Sequence, residues 1–251
     1  MSQSHVRLDA ATSHESLRGQ LEAARAASRN ERPTDLVLVR ADAPAVAPEA
    51  LLERFPERDA VLWHPPVGAC FAGIGVAHAI TGQGSERFSE VRAAGNDLWG
   101  RARGAGARAS EWDAPRLFGG FAFAPAGATS EPWAGFGPAR FVLPRITYAV
   151  QDGQASLTLA IERRELERAS SDAVQLFQRA HEILLSAPQP TPGRAVEPAS
   201  RDDGDLERFA LQVERLVQRI QRGELQKGVA AREVPLGFAT AVDPAATLVA
   251  R

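Results

Sequence analysis

The dipeptide Asp152-Gly153 separates two alternating runs, residues 140–150 and 154–162, and constrains the fold more than any other feature of the chain. An Asp-Gly pair between strand-like runs favours a two-residue hairpin turn, because both positions accept the left-handed backbone that such a turn needs. The middle of the chain is therefore predicted to be antiparallel sheet. Further strands are expected at residues 35–40, 60–64, 70–80 and 116–124. Helices are expected at residues 13–28, where Thr12 and Glu15 have capping-box spacing and Leu17, Leu21 and Ala24 share a face, and from about Ser85, with Phe88, Val91 and Leu98 as its stripe. A third is expected at residues 172–185. The segment Gly100-Arg101-Ala102-Arg103-Gly104-Ala105-Gly106 reads as a flexible loop from its composition. No fixed-period repeat is evident and the order of strands and helices is irregular, which disfavours solenoids and regular parallel barrels. The predicted class is α+β, antiparallel sheets with packed helices.

Residues 186–200 carry Pro188, Pro190, Pro192 and Pro198 with little apolar content and read as a linker between an N-terminal region, 1–185, and a second region, 201–251. Beyond it, Leu206, Phe209, Ala210, Val213, Leu216, Val217 and Ile220 follow helical spacing over four turns, with Asp205 as the cap. Gly223 ends this helix and residues 225–234 read as a strand that Pro235 interrupts. Alternation places Leu225, Lys227, Val229 and Ala231 on one face.

Lys227 is the only lysine, every other side-chain cation being arginine. Arginine keeps its proton under ordinary conditions, whereas a desolvated lysine can release its own and act as a base. From the residues alone three readings of Lys227 stand: a base on an apolar face, an edge-strand lysine that blocks aggregation, or a surface residue left over from the drift to arginine.

The remaining composition narrows the function. The net charge of −2 leaves no cationic surplus for a phosphate backbone, so nucleic acid is not an expected partner. No apolar run approaches membrane-spanning length, and residues 1–11 lack a secretory pattern, so the expected location is the cytoplasm. Cys70 has no disulfide partner and reads as a structural thiol. His5, His14, His64, His78 and His181 lack metal-ligand spacing, so no metal ligand and no cofactor-binding residue is assigned. Trp63, Trp99, Trp112 and Trp133 read as core or domain-contact aromatics. The run Gly73-Ile74-Gly75-Val76-Ala77-His78 begins like a dinucleotide loop but sits inside a strand pattern and carries little weight.

The helix with Phe209, Val213 and Ile220, then Gly223, a lysine four positions on and an arginine five beyond that, resembles the opening of the chorismate-binding domain of isochorismate synthases. That family, related to anthranilate synthase component I, reads Lys-Val-Val-Leu-Ala-Arg where this chain has Lys227-Gly228-Val229-Ala230-Ala231-Arg232. Two positions depart, Gly228 and Ala230, both on the face opposite Lys227, and suggest a closer backbone approach or thinner packing behind the strand. Similar segments occur upstream in the family's order: Trp63-His64-Pro65-Pro66, Phe71-Ala72-Gly73-Ile74-Gly75, Phe118-Gly119-Gly120-Phe121-Ala122-Phe123, Trp133, and Phe141-Val142-Leu143-Pro144-Arg145.

The resemblance implies an isomerase that adds water at C2 of chorismate as the C4 hydroxyl departs, with Lys227 as the catalytic base and Mg²⁺ as the cofactor. Ammonia-using anthranilate and aminodeoxychorismate synthases typically carry glutamine at the Lys227 position, while salicylate synthases share the lysine and remain an alternative. The resemblance also implies that the Mg²⁺ ligands and the acid lie downstream of Arg251, so that the sequence is expected to be an N-terminal part, incomplete in its chorismate-binding fold, with a helix beginning at Asp243-Pro244. A non-catalytic relic serving as a binding module is the alternative of a different class. Menaquinone and siderophore supply both fit as pathways, the long region before the motif leaning to the former.

Overall fold

The structure, a computed structural model, describes residues 10–56, 58–106, 110–124, 133–168, 171–186, 189 and 197–242. Two compact units partition the chain, Met1–Thr191 and Pro192–Arg251. Most of the expected linker, and the helix expected at Asp243-Pro244, lie outside the described residues.

In the first unit the described elements are α1 (Ala10–Ala27), β1 (Leu36–Asp42), α2 (Pro48–Leu52), β2 (Ala60–Trp63), β3 (Cys70–Gly82), α3 (Arg87–Gly100), β4 (Ala102–Gly106), β5 (Phe118–Phe121), β6 (Ala139–Gln151), β7 (Gln154–Glu162), α4 (Arg163–Leu166) and α5 (Asp172–Leu185). The seven strands form one sheet in the order β2-β3-β6-β7-β1-β4, with β5 pairing the first part of β6. Asp152 and Gly153 both adopt positive φ, 50° and 77°, and Gln151 pairs directly with Gln154, so the β6–β7 hairpin has the two-residue turn that the sequence predicts.

Alternation along the strands builds two cores. Val37, Val39, Leu157, Leu159 and Ile161 point to one face, where they pack with Leu17, Leu21, Leu51 and Phe177 from α1, α2 and α5. Leu36 and Ala160 point to the other and meet Val91 and Leu98 of α3. Each fully buried leucine or phenylalanine contributes about 1.5–3 kcal/mol relative to exposure. The sheet is thus covered by helices on both faces, in an α+β arrangement in which only β1 and β4 run parallel.

Three local expectations are corrected. The segment expected to be a flexible loop contains β4, which pairs in parallel with β1 from Leu36↔Ala102 to Arg40↔Gly106. Backbone hydrogen bonds to an available sheet edge override the low strand preference of glycine and alanine. The first helix starts at Ala10, so Thr12 lies inside it and not at its cap. Phe88, expected in the α3 stripe with Val91 and Leu98, is 50% exposed and rests on Phe121 with ring centroids 4.5 Å apart.

The second unit contains β8 (Ser200–Arg201), α6 (Leu206–Gln221) and β9 (Leu236–Gly237), with β8 and β9 antiparallel. The Asp205 carboxylate accepts from the Arg208 N–H at 2.8 Å, the N-cap predicted from the sequence. At the other end Gly223 has φ 74°, its N–H donates to the Ile220 carbonyl, and the Glu224 N–H donates to Arg219. These two bonds make a Schellman stop, which requires a left-handed residue after the last helical turn. None of the α6 side chains is buried, although its apolar residues fall on one stripe.

Candidate functional site

The stretch 225–234, expected as a strand, has no ladder partner among the described residues and is not a strand. Alternating apolar residues favour an extended backbone, but a strand also requires a neighbour to receive its N–H and C=O groups. That neighbour appears only after Pro235, where β9 meets β8. Instead, residues 225–234 turn back from the C-terminal end of α6 toward its N-terminal end.

Contacts along this return path are specific. Glu224, immediately after the helix stop, pairs with Arg219 at 3.1 Å and Arg222 at 2.7 Å. A β-carbon on Gly228 would lie 2.5 Å from Leu216 Cδ1 and 2.9 Å from its Cγ, so any side chain at this position requires Leu216 or the segment to shift. The closer approach suggested by the sequence at Gly228 is present. Arg232 then donates from Nη1 to the Asp203 carbonyl at 2.7 Å and sits 5.8 Å from the centre of the Phe209 ring. Asp202 N–H donates to the Pro235 carbonyl at 3.0 Å and closes the turn back to the start of α6.

Lys227 stands between Glu224 and Gly228 on this segment, and it is exposed. The apolar face read from alternation does not enclose it: Val229 is 82% exposed. Arg208, Leu211, Arg215, Leu216, Arg219 and Val229 line a shallow groove of about 720 Å³ beside the segment.

The upstream segments quoted from the sequence converge in the first unit. Trp63 pairs with Phe71 across β2 and β3, Phe118 pairs with Val142 across β5 and β6, and the Phe71 and Phe118 rings lie 5.7 Å apart. Around them opens a cleft of about 880 Å³, lined also by Asp59, Arg116, Phe136 and Arg140. The Arg116 guanidinium lies 4.5 Å from the centre of the Phe71 ring. Asp59, Arg116 and Arg140 had no motif to mark them, since they are isolated charges beside apolar runs that only the sheet brings together. Trp63 and Trp133, expected in a core or domain contact, are 56% and 59% exposed.

The other polar candidates have structural surroundings. His64 Nδ1 lies 2.6 Å from the buried Glu49 carboxylate. Burial first, and then the nearby Glu49 charge, push the Cys70 thiol pKa up, the direction expected of an unreactive thiol. The run from Gly73 to His78 lies within β3, whose pairing with β6 shifts register between Val76 and His78, so it forms no dinucleotide loop. Among the described residues, no three His, Cys, Asp or Glu side chains come together in a group able to hold a metal ion. No helix among them is long and apolar enough to cross a membrane.

The chain belongs to the chorismate binding enzyme family, whose model matches residues 20–250. Among its relatives is the salicylate biosynthesis isochorismate synthase of Pseudomonas aeruginosa, 30% identical over 182 residues, a match that covers 70% of this chain and 36% of that protein. The fold is similar to that of MenF, the menaquinone-specific isochorismate synthase from Escherichia coli, with a TM-score of 0.56 and 20% identity over 94% of this chain and 48% of that structure. The chain therefore spans about a third of the first relative and about half of the second.

Proposed function

We propose that this chain is part of an isochorismate synthase, in which water adds at C2 of chorismate while the C4 hydroxyl departs, and that Lys227 takes the proton from that water. The observation that carries the reading is the placement of Lys227 four residues beyond the Gly223 helix stop and five before Arg232, in a chain of the chorismate-binding family. The P. aeruginosa relative supports the same reaction.

A positioned base contributes about 10² to 10⁴ in rate when it accepts a proton in the transition state. Lysine suits this role and arginine does not, because only lysine gives up its proton when water is removed from around it. Lys227 is exposed in its own unit, so the mechanism requires substrate or further protein surface to cover the amine during reaction. Mg²⁺ belongs to the reading through the family. Among the described residues no three His, Cys, Asp or Glu side chains come together to hold that ion, and no step is assigned to it or to an acid.

The test is incubation of the protein containing this chain with chorismate and Mg²⁺ in water labelled with heavy oxygen. The expected product is isochorismate carrying the label at C2. Salicylate, or an aminated product formed only with ammonia, would replace this reading by another reaction of the family.

A further inference from the structure

We propose that Gly228 and Arg232 are positioning residues that hold Lys227 in place by clamping residues 225–234 along α6. The proposal rests on Lys227 being the base, and it adds which residues of this chain set that lysine's position.

An exposed, unpaired stretch loses order readily unless something beyond a ladder fixes it. Here the fixings flank Lys227. On its N-terminal side the Schellman stop at Gly223 sets the direction of departure, and Glu224 bridges Arg219 and Arg222. Immediately on its C-terminal side Gly228 lies directly against Leu216, with space for a hydrogen and none for a methyl group. Five residues from Lys227, Arg232 spans from the segment to the Asp203 carbonyl, and its Nη2 lies 3.8 Å from the Asp203 carboxylate. The Asp203 carboxylate is itself held by Arg201 at 2.8 Å. The lysine backbone is therefore restrained at the next residue by sterics and at the far end by a charge-assisted bond.

Gly228 also explains itself chemically. Its φ is not in the left-handed region, so backbone freedom is not the reason for glycine. The reason is Leu216: its Cγ, Cδ1 and Cδ2 are the three atoms nearest to a β-carbon at 228, at 2.9, 2.5 and 2.8 Å. Val at 228 must push the segment outward or turn Leu216 out of its place, whereas shortening Leu216 to Ala removes all three atoms at once.

Because Lys227 is the only lysine, lysine-selective ¹⁵N labelling reports its backbone amide as a single resonance, with uniformly labelled α6 amides as the reference. In the unaltered chain the Lys227 order parameter is expected near the rigid value of about 0.85, and in Gly228→Val below about 0.6. Gly228→Val with Leu216→Ala should return it toward the rigid value. Arg232→Met, which removes the fork that reaches Asp203 and leaves Lys227 the only lysine, should loosen the segment while α6 keeps its order, and it serves where Gly228→Val unfolds the unit. In the isochorismate assay the loosened variants should lose about 10²-fold in kcat, as a misplacement of 1 Å can, with KM little changed.

A Lys227 amide that is mobile in the unaltered chain, or that keeps its order in both Gly228→Val and Arg232→Met, overturns the clamp. So does a double variant no more ordered than Gly228→Val. Order that follows the clamp while Lys227→Ala keeps full turnover supports the clamp and removes the base role instead.

Discussion

The Tyr148 hydroxyl accepts from the Val46 N–H at 2.8 Å and donates to the Pro44 carbonyl at 2.7 Å, which ties the connection between β1 and α2 to the centre of the sheet. Tyr148 is fully buried, and burial pushes its pKa above the ordinary value, so it stays a neutral donor. Tyr148→Phe keeps the ring but leaves the Val46 N–H and Pro44 carbonyl without this partner. A loss of about 1–3 kcal/mol is expected from chemical denaturation. An unchanged denaturation midpoint would show that the hydroxyl contributes nothing to holding this loop.

Two adjacent glycines should differ sharply. A β-carbon on Gly119 would collide with the Arg140 carbonyl oxygen and come within 2.6 Å of the Phe141 Cα, whereas one on Gly120 meets nothing within 4 Å. Gly119→Ala should therefore separate β5 from β6, seen as lost amide protection over residues 118–121, while Gly120→Ala preserves it. Equal protection in the two variants would contradict the close β5–β6 approach.

The single cysteine offers a direct chemical check. With its thiol pKa raised, chiefly by burial, Cys70 should react with iodoacetamide near neutral pH more slowly in the native chain than in denaturant. Native and unfolded rates that agree would place the thiol in an open, unperturbed environment.

His78 supplies a pH dependence whose sign is fixed. Burial first, then the Arg101 guanidinium, lower its pKa, against the smaller opposing effects of Asp97 and Glu162. The unfolded chain takes up this proton at higher pH than the folded one. Stability from this group is thus complete above the ordinary histidine value of about 6.5 and falls as pH is lowered through the depressed folded value. His78→Gln should reduce the slope of stability against pH below about 6.5. An identical slope in the variant would remove His78 as a contributor.

These contacts show which parts of the molecule could be read from residues alone. The β6–β7 hairpin, α5 and α6 were legible because local chemistry determines them: Asp152-Gly153 fixes a turn, and Asp205 and Gly223 mark where a helix starts and stops. β4 was not, since Gly104 and its small neighbours become a strand only because β1 offers an edge. Conversely, Leu225, Val229 and Ala231 alternate like a strand but find no ladder partner among the described residues. Lys227 and the close approach at Gly228 were both visible in the sequence, the first as the lone lysine and the second as a departure from the family pattern. Leu216 as the atom-level reason for that glycine, and the cleft holding Asp59 and Arg116, depend on tertiary placement that no spacing encodes.

The central claim concerns one side chain, and Lys227→Arg tests it most directly, because it retains a cation of similar reach and removes only the ability to lose a proton. In the protein containing this chain, turnover of chorismate to isochorismate is expected to fall by about 10² to 10⁴. Near-normal turnover by Lys227→Arg would contradict the assignment of Lys227 as the water-activating base.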